Sequence, residues 1–222
     1  MSNVVIHRDP EAMADRLAAF SLTEQDAFEV VWAALQARRD TTENHAANAA
    51  GTYAYHEGLR ALRDILLPKG WVRDNELNIE SVIDLGLGVR IVFQNVDVAT
   101  QDRPPRAISG KGPAAERMVD KSMPYLFDDM ESERQSRLRR AEKAQGCEVW
   151  FLCVSEHGQA ELSRPMEIVG GQFGEFVERI FIVTDEYWES IPGIGQNSDR
   201  DSGAGDGEAF EPEISPKQGR DV

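Results

Sequence analysis

Long apolar runs are absent from this chain: no stretch approaches the roughly 18 consecutive apolar residues that a membrane-spanning helix needs. The amino-terminal MSNVVIHRDPEAM lacks the basic start, extended apolar run and small-residue cleavage site of a secretory signal. Cysteine is scarce. Cys147 and Cys153, the two present, flank one expected strand and would stand about 20 Å apart along it. A disulfide needs Cα atoms within about 7 Å, and zinc-ligand pairs want about two to four residues between them. These absences point to a cytoplasmic protein with reduced core thiols and no membrane contact.

Positive charge is short as well. Twenty-four Lys and Arg face 39 Asp and Glu, a formal net charge of −15. Such a balance repels nucleic acid and anionic membrane at long range and favours solubility. The imbalance is uneven: nine basic against fifteen acidic residues in 1–100, ten against nine in 101–150, and five against fifteen in 151–222. The middle holds the basic residues, and the carboxyl-terminal third holds most of the excess acid.

What is present suits a globular chain. Hydrophobic residues make up 41% of the 222, enough to bury a core without disulfide or metal staples. Asp9-Pro10-Glu11 is a helix start, with Met13, Leu17 and Phe20 on one face. Ser21-Leu22-Thr23-Glu24 has capping-box spacing. Phe28, Val31, Trp32 and Leu35 then recur at helical intervals, predicting an amphipathic helix over 22–38. Residues 44–67 form a third helix, stopped by Pro68-Lys69-Gly70 and weakened at its start by Gly51.

Beyond Glu76 the pattern turns β-like. Asn78 to Leu85 and Val89 to Ala99 read as a hairpin about Gly86-Leu87-Gly88. A Pro/Gly-rich loop covers 101–114, and a charged helix is expected over about 125–145. Glu148 to Ser155 is apolar on both faces, as a central strand should be. A turn at 156–159, a strand over 160–168 and another over 175–184 complete an antiparallel meander. The expected fold is α+β, with N-terminal helices packed on an antiparallel sheet of about five strands in one domain over 1–193. Residues 194–222, rich in Gly and acid with Phe210 as the one aromatic, cannot bury enough surface to order and are expected to form a disordered acidic tail.

Chemistry is thinly signalled. Glu80, Asp84 and Asp97 on the hairpin, with Glu148 or Glu161, are the candidate ligands for Mg²⁺, the cofactor of phosphodiester hydrolysis. Neither hairpin strand supplies the lysine that usually accompanies such acids. Arg103, Arg106, Lys111, Arg137 and Arg140 are the candidate phosphate contacts of a basic 103–143 segment, set against intrahelical salt bridging by its own acids. Ser109-Gly110-Lys111-Gly112 fails the phosphate-loop pattern, because Gly112 and Pro113 follow the lysine. His45 and His56 would lie about 16 Å apart along a helix, too far to share a metal. Arg164 and Arg179 fall among apolar strand neighbours and need cross-strand partners; Pro165 suggests an edge strand for the first. Phe210 and Ile214, set amid tail acids, are candidate partner contacts.

With no catalytic motif, the leading expectation is a non-enzymatic protein-binding or regulatory accessory protein with an acidic surface, another protein as its partner and no cofactor. The alternatives are a Mg²⁺-dependent nuclease or nucleic-acid-binding protein, and a structural component of a larger assembly.

Overall fold

The computed structural model describes residues 4–122 and 146–190. The charged helix expected over 125–145 and the tail expected from 194 onward lie outside the described residues. No helix among the described residues is long and apolar enough to cross a membrane.

The described residues form nine strands and five α-helices. Strand β1 (Val5–His7) leads into helices α1 (Pro10–Ala18), α2 (Glu24–Arg39) and α3 (Ala49–Leu66). Strands β2 (Val72–Asp74), β3 (Ser81–Asp84) and β4 (Val89–Val96) follow, then α4 (Pro113–Ser122). The rest comprises β5 (Glu148–Ser155), β6 (Ala160–Pro165), β7 (Ile168–Val169), β8 (Gln172–Phe173), β9 (Phe176–Val183) and α5 (Asp185–Ser190).

The sheet corrects the expectation of five antiparallel strands. It has seven, in the order β1-β9-β6-β5-β4-β3-β2, and it is mixed: β4 pairs parallel with β5, and β1 parallel with β9. The parallel β4–β5 pair follows from the 97–147 connection, which contains α4. A long connection carrying a helix can return the chain to the starting end of the sheet, so the next strand lies parallel. Being central, β4 and β5 are buried on both faces along nearly their whole length.

Local chemistry sets the helix starts. Asp9 caps α1, accepting from the backbone N–H of Glu11 (3.1 Å) and Ala12 (3.2 Å). The capping box of α2 is Thr23 with Asp26, not Ser21 with Glu24. Ser21 instead occupies the left-handed region (φ 58°) in the turn that reverses the chain.

Two cores follow from the two sheet faces. On one, α1, α2 and α3 cover Ile91, Phe93, Trp150, Leu152, Leu162 and Ile180. There α3 passes so close to β4 that a Cβ on Gly58 would lie 2.3 Å from the Phe93 ring. On the other, α4 and the small β7–β8 hairpin cover Val92, Val96, Val149, Phe151 and Phe176.

Candidate functional site

A row of polar side chains crosses the sheet face under the second core. Gln94, Cys153 and Glu161 are register partners on β4, β5 and β6, and Ser163 partners Arg179 on β9 one step along. Glu161 is fully buried and takes both forks of Arg179, at 2.8 and 2.7 Å. It also accepts from the backbone N–H of Thr100 (2.6 Å) and the hydroxyl of Ser163 (2.7 Å). Both carboxylate oxygens are thus engaged, so this acid pins the 97–112 loop to the sheet. Burial, followed by the nearby Glu161 carboxylate, pushes the Cys153 thiol well above its ordinary value. A thiol held neutral is no nucleophile.

Lys111 closes this row from above. The residue as a whole is half-buried, but its ammonium end is covered, 4.4 Å from the Phe151 ring centre and 5.4 Å from that of Phe173. Its one hydrogen bond to a side chain among the described residues goes to Oε1 of Gln94. Burial lowers its pKa to about 8. Its backbone N–H donates to Gly171 at 2.7 Å, which anchors the loop on the β7–β8 hairpin.

A cleft of about 520 Å³ opens at the carboxyl ends of the parallel β4–β5 pair. Ligands of open α/β sheets commonly sit at this end of parallel strands. Gln94, Asn95 and Val96 form its floor, the first turn of α3 one wall, and Ile108 and Ser109 another. Arg38 enters from the last turn of α2 and Glu156 from the β5–β6 turn. The two ends are packed together: a Cβ on Gly158 would meet Leu35, one turn before Arg38, at 2.8 Å. Asn95 donates to the carbonyl of Gly51 at 2.8 Å, locking the strand end to α3.

The expected hairpin carboxylates do not converge. Glu80 pairs with Arg63. Asp84 accepts from the backbone N–H of Gly86 (2.8 Å) and Leu87 (2.9 Å), closing the β3–β4 turn. Asp97 lies at the far end of β4, about 26 Å away at the usual rise per residue. It accepts from the N–H of Val98 and Arg106 and from the Arg103 guanidinium. Burial alone would raise the Asp97 pKa, but these donors outweigh it and the carboxyl lies below its ordinary range. Glu148 pairs with Arg164 at 2.9 Å. Among the described residues no group of three or more His, Cys, Asp or Glu is placed to hold a metal ion.

Of the basic candidates, Arg103 is tied to Asp97, Arg106 is exposed, and the Lys111 ammonium is buried. Arg137, Arg140, Phe210 and Ile214 lie outside the described residues. Arg164 is not on an edge, since β6 runs between β5 and β9; Pro165 is tolerated at a register irregularity at the strand's end. Arg38, Gln94 and Glu156 carried no signal beyond the break in apolar character after Phe93. Comparison with protein-family models, curated proteins and solved structures finds no match to any of them.

Proposed function

We propose that this protein is a non-enzymatic accessory protein that acts by contacting another protein. The observation that carries the reading is an apolar corner at the β2 edge of the sheet. Val72 is 48% exposed, and Leu85 and Leu87 in the adjoining β3–β4 turn are 68% and 49% exposed. Val72 pairs with Ile83, two residues before Leu85, so the register places the three at one corner of the sheet. Among the described residues β2 is a sheet edge, with one row of backbone groups open to pair with an added strand.

Charge defines the partner. Asp74, Glu76 and Asp84 border the patch; Arg90, which pairs with the first two, is itself buried. A partner segment that alternates apolar and basic residues fits this surface.

The test is a pull-down from native lysate with the wild-type chain and with the Leu85→Asp/Leu87→Asp double variant. Both positions are exposed turn residues, and circular dichroism would verify that the variant keeps its fold. A partner retained by the wild type, released by salt and lost with the variant supports the reading. Recovery of no specific partner, or equal recovery by the variant, overturns it.

A further inference from the structure

A buried ammonium is costly unless it is paired, because removal from water disfavours the charged form. Lys111 has no ion-pair partner among the described residues. Its side-chain acceptor is the Gln94 carboxamide, with two aromatic faces beside it. An ammonium only donates, so the Gln94 atom facing it is Oε1. That contact fixes which way the carboxamide is turned. Nε2 then points the other way, donating one hydrogen to the Asn95 carbonyl at 2.8 Å. Its second hydrogen has no acceptor among the described residues, although Gln94 is only 9% exposed and forms part of the cleft floor.

From these contacts we propose that the cleft at the carboxyl ends of β4 and β5 binds a small organic anion, a carboxylate or a phosphate ester. Arg38 is its ion-pairing residue, and Gln94 is a hydrogen-bond donor held in orientation by Lys111. Arg38 lines the cleft and makes no ion pair among the described residues, in a chain where acids outnumber bases by 39 to 24. The charge of Lys111 stands one hydrogen bond behind the floor and polarises the amide that faces the ligand. Glu156, the one acid of the lining among the described residues, has 62% of its side chain exposed and is screened by water at the rim. The Ser109 hydroxyl adds a polar contact, while that of Thr52 is spent on the Asn48 carbonyl at 2.9 Å; Tyr55 and Ile108 supply apolar wall. The volume falls within the range of about 300–1,000 Å³ typical of small-molecule sites.

This site is separate from the β2 corner and stands whether or not that surface has a partner. Lys111 is a positioning residue: it acts through Gln94 and does not touch the ligand.

The experiment is titration calorimetry on the full chain at pH 7 and low salt. The probes are succinate, glycerol phosphate and inorganic phosphate, with glycerol as the neutral control. We expect at least one anion to bind and glycerol not to; which anion binds separates the carboxylate from the phosphate source. Arg38→Ala should abolish binding, and Lys111→Met should weaken it about tenfold, the usual scale for losing support to one charge-assisted hydrogen bond. Lys111→Met fills the same space without charge, and Gln94→Leu provides a second route to the same loss. If no probe binds at millimolar concentration, or glycerol binds as well as the anions, the site is overturned. If Lys111→Met shifts the melting temperature and leaves affinity untouched, Lys111 is purely structural and its assignment fails.

Discussion

Glu161 on β6 and Arg179 on β9 meet in a two-pronged ion pair inside the sheet layer, with 0% and 2% of their side chains exposed. Desolvating two such charges cancels most of their attraction, whereas removing one partner strands the other. Arg179→Met should therefore cost about 3–5 kcal/mol in urea denaturation. The double variant Glu161→Gln/Arg179→Met keeps an oxygen for the Thr100 N–H, lets the Ser163 hydroxyl rotate to accept from the new Nε2, and removes the stranded charge, so it should recover much of that loss. A double variant as unstable as the single would mean that the attraction outweighs the desolvation.

Lys111 gives a pH signature with a definite sign. Its folded pKa is about 8, against about 10.4 for an unfolded lysine. Below pH 8 both states bind the proton and the folded state carries the full cost of a buried charge. Between about 8 and 10.4 the unfolded chain binds more protons, so stability rises with pH. Lys111→Met should be more stable than wild type at pH 7, by on the order of 2–3 kcal/mol, and the gap should close toward pH 10. Burial also raises the Cys147 and Cys153 thiols, which pull stability down as pH climbs. Cys153 and Lys111 feel each other's charge, so both curves are taken in a Cys153→Ala background, where their difference isolates the lysine. A gap that stays constant from pH 7 to 10 would place this amine in water.

How much of this was legible in the sequence depends on the range of the interaction. Asp9 before Pro10 and the apolar run from Glu148 to Ser155 are local signals, and the structure follows them nearly residue for residue. The strands Val5–His7 and Val72–Asp74 are too short for a periodic pattern and exist because a neighbouring strand offers an edge. The parallel pairing of β4 with β5 was hidden because apolar runs look alike in either direction; the clue was the length of the connection between them. The cleft was least visible of all. Arg38, Gln94 and Glu156 are 56 and 62 positions apart in sequence and meet only after the helices dock on the sheet. The hairpin acids misled for the same reason: alternation placed them on strands but could not show Arg63 or Arg103 beside them.

Two glycines of α3 should respond oppositely to one methyl group. Alanine is favoured over glycine inside a helix by about 1 kcal/mol. Around Gly51 an added Cβ meets nothing within 4 Å, whereas at Gly58 it would lie 2.3–2.9 Å from three atoms of the Phe93 ring. Gly51→Ala should raise the melting temperature slightly. Gly58→Ala should lower it, by an overpacking cost of about 1–3 kcal/mol less the helix gain. Phe93→Leu in the Gly58→Ala background should recover part of the loss, since the smaller side chain vacates the collision. Equal melting temperatures for the two alanine variants would show that α3 can lift away from β4 at little cost.

Asp97 separates a loop-pinning role from a metal role. Its carboxylate gathers the N–H groups of Val98 and Arg106, at 2.7 and 2.8 Å, with the Arg103 guanidinium at 2.9 Å. An acid whose lone pairs are spent this way and whose pKa is already depressed by its own donors has little left for a cation. Asp97→Ala should therefore speed hydrogen exchange of the amides between Val98 and Arg106, while β5 and β6 keep their protection. Addition of Mg²⁺ to the wild type should leave its melting temperature where it was. Labelled DNA and RNA, incubated with wild type and variant in Mg²⁺ or EDTA, provide the counter-test. Metal-dependent cutting that disappears in the variant would mean that Asp97 exchanges its arginine for a cation, and would restore the nuclease reading of the hairpin.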